Sequence, residues 1–175
     1  MEAIYAVDIK NGLSKLGIIP WYSKKDLNFF MNITKNNVVI MGRKTYFSLP
    51  KRPLKDRLNI VLTNKPLDFA FDETKDLLNI IFTNNDRIHD SILNNRENFT
   101  KTYSFLSSNF KIFFIGGKNI YEKFIPLCER VWFTQIKKDY SCDLFLNYDY
   151  SKQFKEEFIE EDDELKIVKY EKILN

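Results

Sequence analysis

One histidine and two cysteines leave this chain poorly supplied with metal ligands. Cys128 and Cys142 lack metal-ligand spacing, and a lone histidine cannot build a histidine-rich site, so no metal is expected. Long apolar runs are missing as well. None approaches the roughly 18 residues needed to span a bilayer, and the opening "MEAIYAVDIKNG" has no basic region leading into an apolar stretch and a small-residue cleavage site. Net charge is only +3, with 27 basic residues scattered among 24 acidic ones and no basic block or stripe to suit nucleic acid. With glycine down to five residues, neither G-x-G-x-x-G nor G-x-x-x-x-G-K-[ST] occurs.

What is present suits a folded globular protein: 44% hydrophobic and 29% charged residues in 175, long enough for one domain, 1–175, with a substantial core. The cysteine usage suits a reducing cytosol, and the absence of an exposed apolar stripe favours a monomer. Short β-branched runs alternate with helical stretches. "AIYAV" (3–7), "VVIM" (38–41), "LNIVLT" (58–63), "NIIF" (79–82), "KIFFI" (111–115) and "RVWFTQI" (130–136) read as strands, several apolar throughout, as in strands covered on both faces of a largely parallel sheet. Helices are predicted at 23–35, 43–48, 85–95 and 118–125, and 97–110 reads as a loop. The tail alternates apolar and polar residues at 154–160 and 164–174 around an acidic turn, which predicts an antiparallel edge hairpin. The class is α/β, with crossover helices joining the strands.

Four stretches carry candidate chemistry. "KIFFIGGKNIYEKF" (111–124) and "VVIMGRKTYFSLP" (38–50) each run from a strand through glycine into a helix, where free amide groups favour an anion such as phosphate. Each is equally consistent with an ordinary tight turn. In "SKKDLNFFMNI" (23–33), Ser23 and Asp26 have capping-box spacing, yet helical periodicity places Phe30 and Ile33 on the same side as Asp26. A capping carboxylate normally stays wet, whereas this one borders an apolar face. Arg57, entering the strand of "LKDRLNIVLT", suits either an exposed strand edge or bidentate capture of a carboxylate.

In this order, P-W (20–21), D-L-x-x-F (26–30), I-M-G-R-x-T (40–45), R-P-L-x-x-R (52–57) and I-G-G (115–117) form a specific set, and the chain resembles the dihydrofolate reductase family. The likeness is close from Ile4 to about Lys65 and from Phe110 to Phe145. Residues 67–109 match only as alternating elements. The resemblance implies a three-layer α/β fold: a central, mainly parallel sheet with an antiparallel C-terminal strand and helices on both faces. It further implies reduction of 7,8-dihydrofolate to tetrahydrofolate by NADPH in the cytoplasm. Asp26 matches the family's active-site carboxylate, backed by Thr134. Ile4, Ala6, Trp21 and Ile115 match positions around the pterin, Phe30, Leu49 and Leu54 those around the p-aminobenzoyl group, and Arg57 the one that binds the glutamate α-carboxylate. On the cofactor side the matching residues are Ala6, Leu13, Ile19, Gly42, Arg43, Lys44, Thr45, Leu62, Thr63, Asn64 and the run Gly116, Gly117, Lys118, Asn119, Ile120, Tyr121. Ile19, Pro20 and Trp21 match a loop that closes over the nicotinamide, and the two adjacent glycines match a pair joined by a cis peptide.

Departures from the family pattern are Ser14 for a loop glycine, Lys118 for a small residue, Leu144 for a threonine, and Asn64 where the 2′-phosphate site often has serine or a base. Arg43, Lys44 or Lys65 would then supply charge for that phosphate. Two other readings compete: a pyrimidine reductase of riboflavin synthesis, and a catalytically silent relative that only binds. The first lacks the pairing of a helix carboxylate with the R-P-L-x-x-R arginine, and intact Asp26, Trp21 and glycine turns argue against the second.

Overall fold

The computed structural model describes residues 1–65 and 78–174. In chain order its strands and helices are β1 (Glu2–Val7), β2 (Gly12–Ser14), α1 (Lys24–Thr34), β3 (Val38–Gly42), α2 (Arg43–Ser48), β4 (Leu58–Leu62), β5 (Ile80–Thr83), α3 (Ile88–Asn94), α4 (Arg96–Thr102), β6 (Ile112–Phe114), α5 (Lys118–Phe124), β7 (Arg130–Ile136), β8 (Leu144–Phe145), β9 (Phe154–Glu161) and β10 (Leu165–Lys172). The part of the 67–109 segment that falls in 67–77 lies outside the described residues. The chain divides into two compact units, Met1–Met31 with Phe114–Asn175, and Asn32–Phe113.

In the first unit β1 runs parallel to β7, β10 runs antiparallel to β7, and β9 completes the C-terminal hairpin. The register sets Ala6 opposite Thr134 on β7, and Thr134 opposite Ile167 on β10. Pairing is closed by buried Glu2, whose carboxylate accepts from Arg130 Nη1 at 2.8 Å and Trp132 Nε1 at 2.6 Å. The apolar strands bury Ala3, Val7, Val131 and Ile167 completely. A short second ladder, β2 with β8, is too brief for sequence periodicity to reveal.

In the second unit β3, β4 and β5 are parallel, and Val38, Val39, Ile40, Met41, Leu58, Ile60 and Val61 are fully buried. The strands are therefore mainly parallel with an antiparallel C-terminal strand, as the apolar runs indicate. The stretch 97–110 corrects the reading: it is not all loop, because Arg96–Thr102 forms α4. Its sequence, "RENFTKT", is too polar to show a helical stripe. The helix is held by a Glu97–Lys101 ion pair at 2.6 Å one turn apart, and Phe99 stacks on Tyr103 at 6.1 Å. Likewise α3 begins only at Ile88, since Asn85 forms a turn by accepting from Arg87 N–H. No described helix is long and apolar enough to cross a membrane.

Candidate active site

The first unit gathers the Asp26 group. Buried Ser23 accepts the Asp26 N–H through Oγ at 3.2 Å, so the capping oxygen is the serine's. The Asp26 carboxylate is left to face Thr134, whose buried hydroxyl hydrogen-bonds it. Burial raises the Asp26 carboxyl above the ordinary carboxylate range; the Thr134 bond opposes this rise, and the charge of Glu164 adds to it. Half-buried and hydrogen-bonded, Asp26 stands ready to accept hydrogen bonds from a ligand or to take a proton.

In the same unit, Trp21 is 9% exposed and packs with Ile136, Cys142, Leu165 and Ile167, with Ala6 and Phe29 against the same cluster. Tyr121 is buried, donates its hydroxyl to the Ile4 carbonyl at 3.1 Å, and lies 4.8 Å from the Tyr5 ring. Burial pushes its phenol well above the ordinary range, and the negative charge of the Asp26 carboxylate acts in the same direction. The peptide between Gly116 and Gly117 is cis. Gly116 has φ +112°, and a Cβ there would fall 2.8 Å from Tyr121 Oη and 3.0 Å from its ring. Gly116→Ala is therefore expected to cost about 1–3 kcal/mol, read as a lower denaturation midpoint; an unchanged midpoint would show that the ring steps aside freely.

Leu13 and Ile115 are buried, Phe30 and Ile120 are half-buried, and Asn119 is exposed. Lys118 pairs with Glu122 at 3.7 Å. Ile19 is not gathered in: it is 61% exposed, as is much of the segment 15–19. The loop containing it is anchored at Leu16, whose N–H donates to Asp143 at 2.8 Å. Sequence reasoning missed Asp8. Its fully buried carboxylate accepts from Gly12 N–H at 2.8 Å, Lys10 N–H at 2.9 Å and Tyr140 N–H at 3.1 Å. Burial pushes the Asp8 carboxyl up, but these bonds and the Cys142 thiol outweigh it and hold the group below its ordinary range.

The second unit holds the remaining candidates. Arg57 is not a surface strand-edge arginine: it is 7% exposed, with Nε donating to the Lys55 carbonyl at 2.9 Å and Nη1 to Thr34 Oγ1 at 3.1 Å. Leu54, on the preceding turn, is gripped by buried Asn59, which accepts the Leu54 N–H and donates to the Leu54 carbonyl, both at 2.9 Å. Asn59 also donates to the Arg57 carbonyl at 3.0 Å, and its only signal in the sequence was a polar residue inside an apolar strand. Gly42 precedes α2 with φ −78°, an extended backbone open to any residue, so conformational freedom is not what a glycine supplies there. Arg43 and Lys44 are exposed, and Thr45 and Leu49 are half-buried at the two ends of α2. At the end of β4, Leu62 and Thr63 are half-buried and Asn64 is exposed.

Neither α2 nor α5 has a side-chain cap hydrogen bond at its start, where glycine precedes the helix. In the first unit the half-buried Asp26 carboxylate and the uncapped start of α5 suit polar and anionic ligand groups, and in the second the oriented Arg57 guanidinium and the uncapped start of α2 suit anionic ones.

Comparison with known proteins agrees. The dihydrofolate reductase family matches residues 1–172, nearly the whole chain. A dihydrofolate reductase of Ureaplasma parvum is 29% identical over 154 residues, 86% of this chain and 84% of the relative. One of Drosophila melanogaster is 34% identical over 153 residues, 81% of this chain and 76% of the relative. A bifunctional dihydrofolate reductase-thymidylate synthase of Zea mays is 36% identical over 147 residues, 77% of this chain but 26% of that longer protein. The chain belongs to the dihydrofolate reductase family, oxidoreductases that reduce dihydrofolate to tetrahydrofolate.

Proposed function

We propose that this protein reduces 7,8-dihydrofolate with NADPH and that Asp26 is its catalytic carboxylate. The observation that carries the reading is the half-buried Asp26 side chain, backed by Thr134 and left out of the helix cap. The residues present fit a nicotinamide dinucleotide: uncapped helix starts follow both glycine turns, and exposed Arg43 and Lys44 open α2. Residues 42–45, 62–64 and 116–121, with Ala6, Leu13 and Ile19, would hold it, and when bound it supplies hydride to the substrate.

The chain's own part is positioning and electrostatics. Asp26 accepts hydrogen bonds from the amino group and ring N–H of the pterin, which fixes that ring's orientation. Its negative charge favours a proton on N5, delivered through water because the carboxylate faces the opposite side of the ring. Ile4, Ala6, Trp21 and Ile115 border the heterocycle, while Phe30, Leu49 and Leu54 border the p-aminobenzoyl group. The guanidinium of Arg57, already oriented by Lys55 and Thr34, takes the glutamate α-carboxylate.

Arg57→Ala should weaken dihydrofolate binding by about 1.5–3 kcal/mol, with less effect on turnover at saturation. Unchanged folate affinity in a titration would make Arg57 merely structural. The activity itself is tested by following oxidation of NADPH with and without dihydrofolate. A rate dependent on dihydrofolate supports the reading. Oxidation only with a ribosylaminopyrimidine substrate, or with neither, would overturn it.

A further inference from the structure

The sheet of the first unit has a face that the chemistry above does not use. Side chains alternate across a strand, so Tyr5, Phe133 and Tyr170 project away from the face carrying Ala6, Thr134 and Ile167. On this reverse face lies a cavity of about 340 Å³, walled by the rings of Tyr5, Phe133, Tyr148, Tyr150 and Tyr170. Small-ligand sites begin near about 300 Å³, so the space suits a small molecule. The rings hold one another in place. Tyr150 stacks on Tyr170 with centroids 4.0 Å apart, Tyr148 tilts against Tyr150 at 4.8 Å, and Phe133 meets Tyr5 edge-on at 5.3 Å.

Two polar features narrow the ligand. The hydroxyl oxygens of buried Tyr5 and Tyr150 lie 2.5 Å apart. Burial pushes both phenols above the ordinary range, so both stay protonated at neutral pH. Two hydroxyls bring two hydrogens to one shared bond, which leaves one hydrogen without an acceptor among the described residues. A ligand oxygen would accept it. Charge is the second feature. The charged residues lining this cavity and an adjoining one of about 450 Å³ are Asp149 and Glu156, both carboxylates. Glu156 is engaged by Tyr170 Oη at 3.1 Å and by Lys166 Nζ at 3.6 Å. Asp149 is exposed, and the hydroxyl and N–H of Ser151 hold its carboxyl below the ordinary range, so it is ionised at neutral pH. Phenol rings beside a carboxylate favour a cation.

We propose that this cavity is a second binding site, taking a small aromatic amine that also carries a hydrogen-bond acceptor. The ring packs against the tyrosines, the ammonium meets Asp149, and the acceptor takes the spare hydrogen of the Tyr5–Tyr150 pair. The site stands on the opposite face of the sheet from Thr134 and does not depend on the catalytic role of Asp26.

The test is a titration of the protein with tyramine, followed by proton–nitrogen NMR. Saturable shifts of the amides at 146–150 are expected, with Kd at about 1 mM or tighter, the range for a ligand of about ten non-hydrogen atoms. Asp149→Asn keeps a capping oxygen for Ser151 and should weaken tyramine by about 3–5-fold, less at high salt. Phenylethylamine, without the phenol oxygen, should bind about 3-fold more weakly, and 4-hydroxyphenylacetate, with an anion in place of the ammonium, about 5-fold more weakly or worse. Folate and NADP+ together should leave the tyramine Kd unchanged. No saturation by about 10 mM tyramine, equal affinity for tyramine and either analogue, unchanged affinity in Asp149→Asn, or displacement by folate would each overturn the proposal.

Discussion

Asp26→Asn is expected to lower dihydrofolate turnover at neutral pH by about 10²-fold or more, the scale of acid–base and electrostatic assistance. The amide keeps the shape and a hydrogen-bonding oxygen, so substrate still binds, but the negative charge that favours a proton on N5 is gone. The deficit should narrow in acid, where solvent protonates N5 unaided. The same substitution should have the opposite effect on stability. Burial raises the Asp26 pKa in the folded protein above its unfolded value. The stability linked to its proton is therefore fully present below the unfolded pKa, about 4, and is lost as pH rises through the folded pKa. Asparagine loses nothing on that rise. The variant should melt higher than the parent at neutral and alkaline pH, with the advantage vanishing below about pH 4. Turnover and melting curves across pH check both halves, and wild-type turnover at neutral pH would refute the catalytic role.

Asp8→Ala should be the most destabilising of the substitutions considered, at about 3 kcal/mol. It strips one fully buried carboxylate from three backbone N–H donors at Gly12, Lys10 and Tyr140. For a chain of this size that corresponds to a melting point lower by about 6–12 °C. The loss should reach beyond the turn, since Tyr140 packs against Trp21 at 5.6 Å and Trp21 belongs to the cluster beside Ala6. Because the Asp8 pKa is lowered, its contribution is present above the unfolded value of about 4 and declines as pH falls through the folded value. Parent and variant should therefore converge in acid. A shift of under about 2 °C at neutral pH would mean that water replaces the carboxylate without cost.

How much of this was legible beforehand differs from residue to residue. The buried strands declare themselves as short β-branched runs, and Asp26 as a carboxylate out of place on a helix. Arg57, by contrast, reads equally well as an exposed strand-edge residue until Thr34 and Lys55 are seen to engage it. The helix α4 escaped notice because its stabilising pairs, Glu97–Lys101 and Phe99–Tyr103, leave no continuous apolar stripe.

From the order of residues alone came the α/β class, the two glycine turns and the candidate carboxylate, all local patterns of polarity and spacing, while the family entered as a resemblance carried by matching motifs. Tertiary structure decided what those residues face. Asp8 meets Tyr140 across 132 positions, and Lys25 meets Asp162 across 137. It also decided that the Asp26 side chain, in a helix whose Ser23 cap the spacing already suggests, turns to Thr134. Long-range partners of polar groups are chosen by strand register and turn geometry, and no periodicity within one segment carries that information.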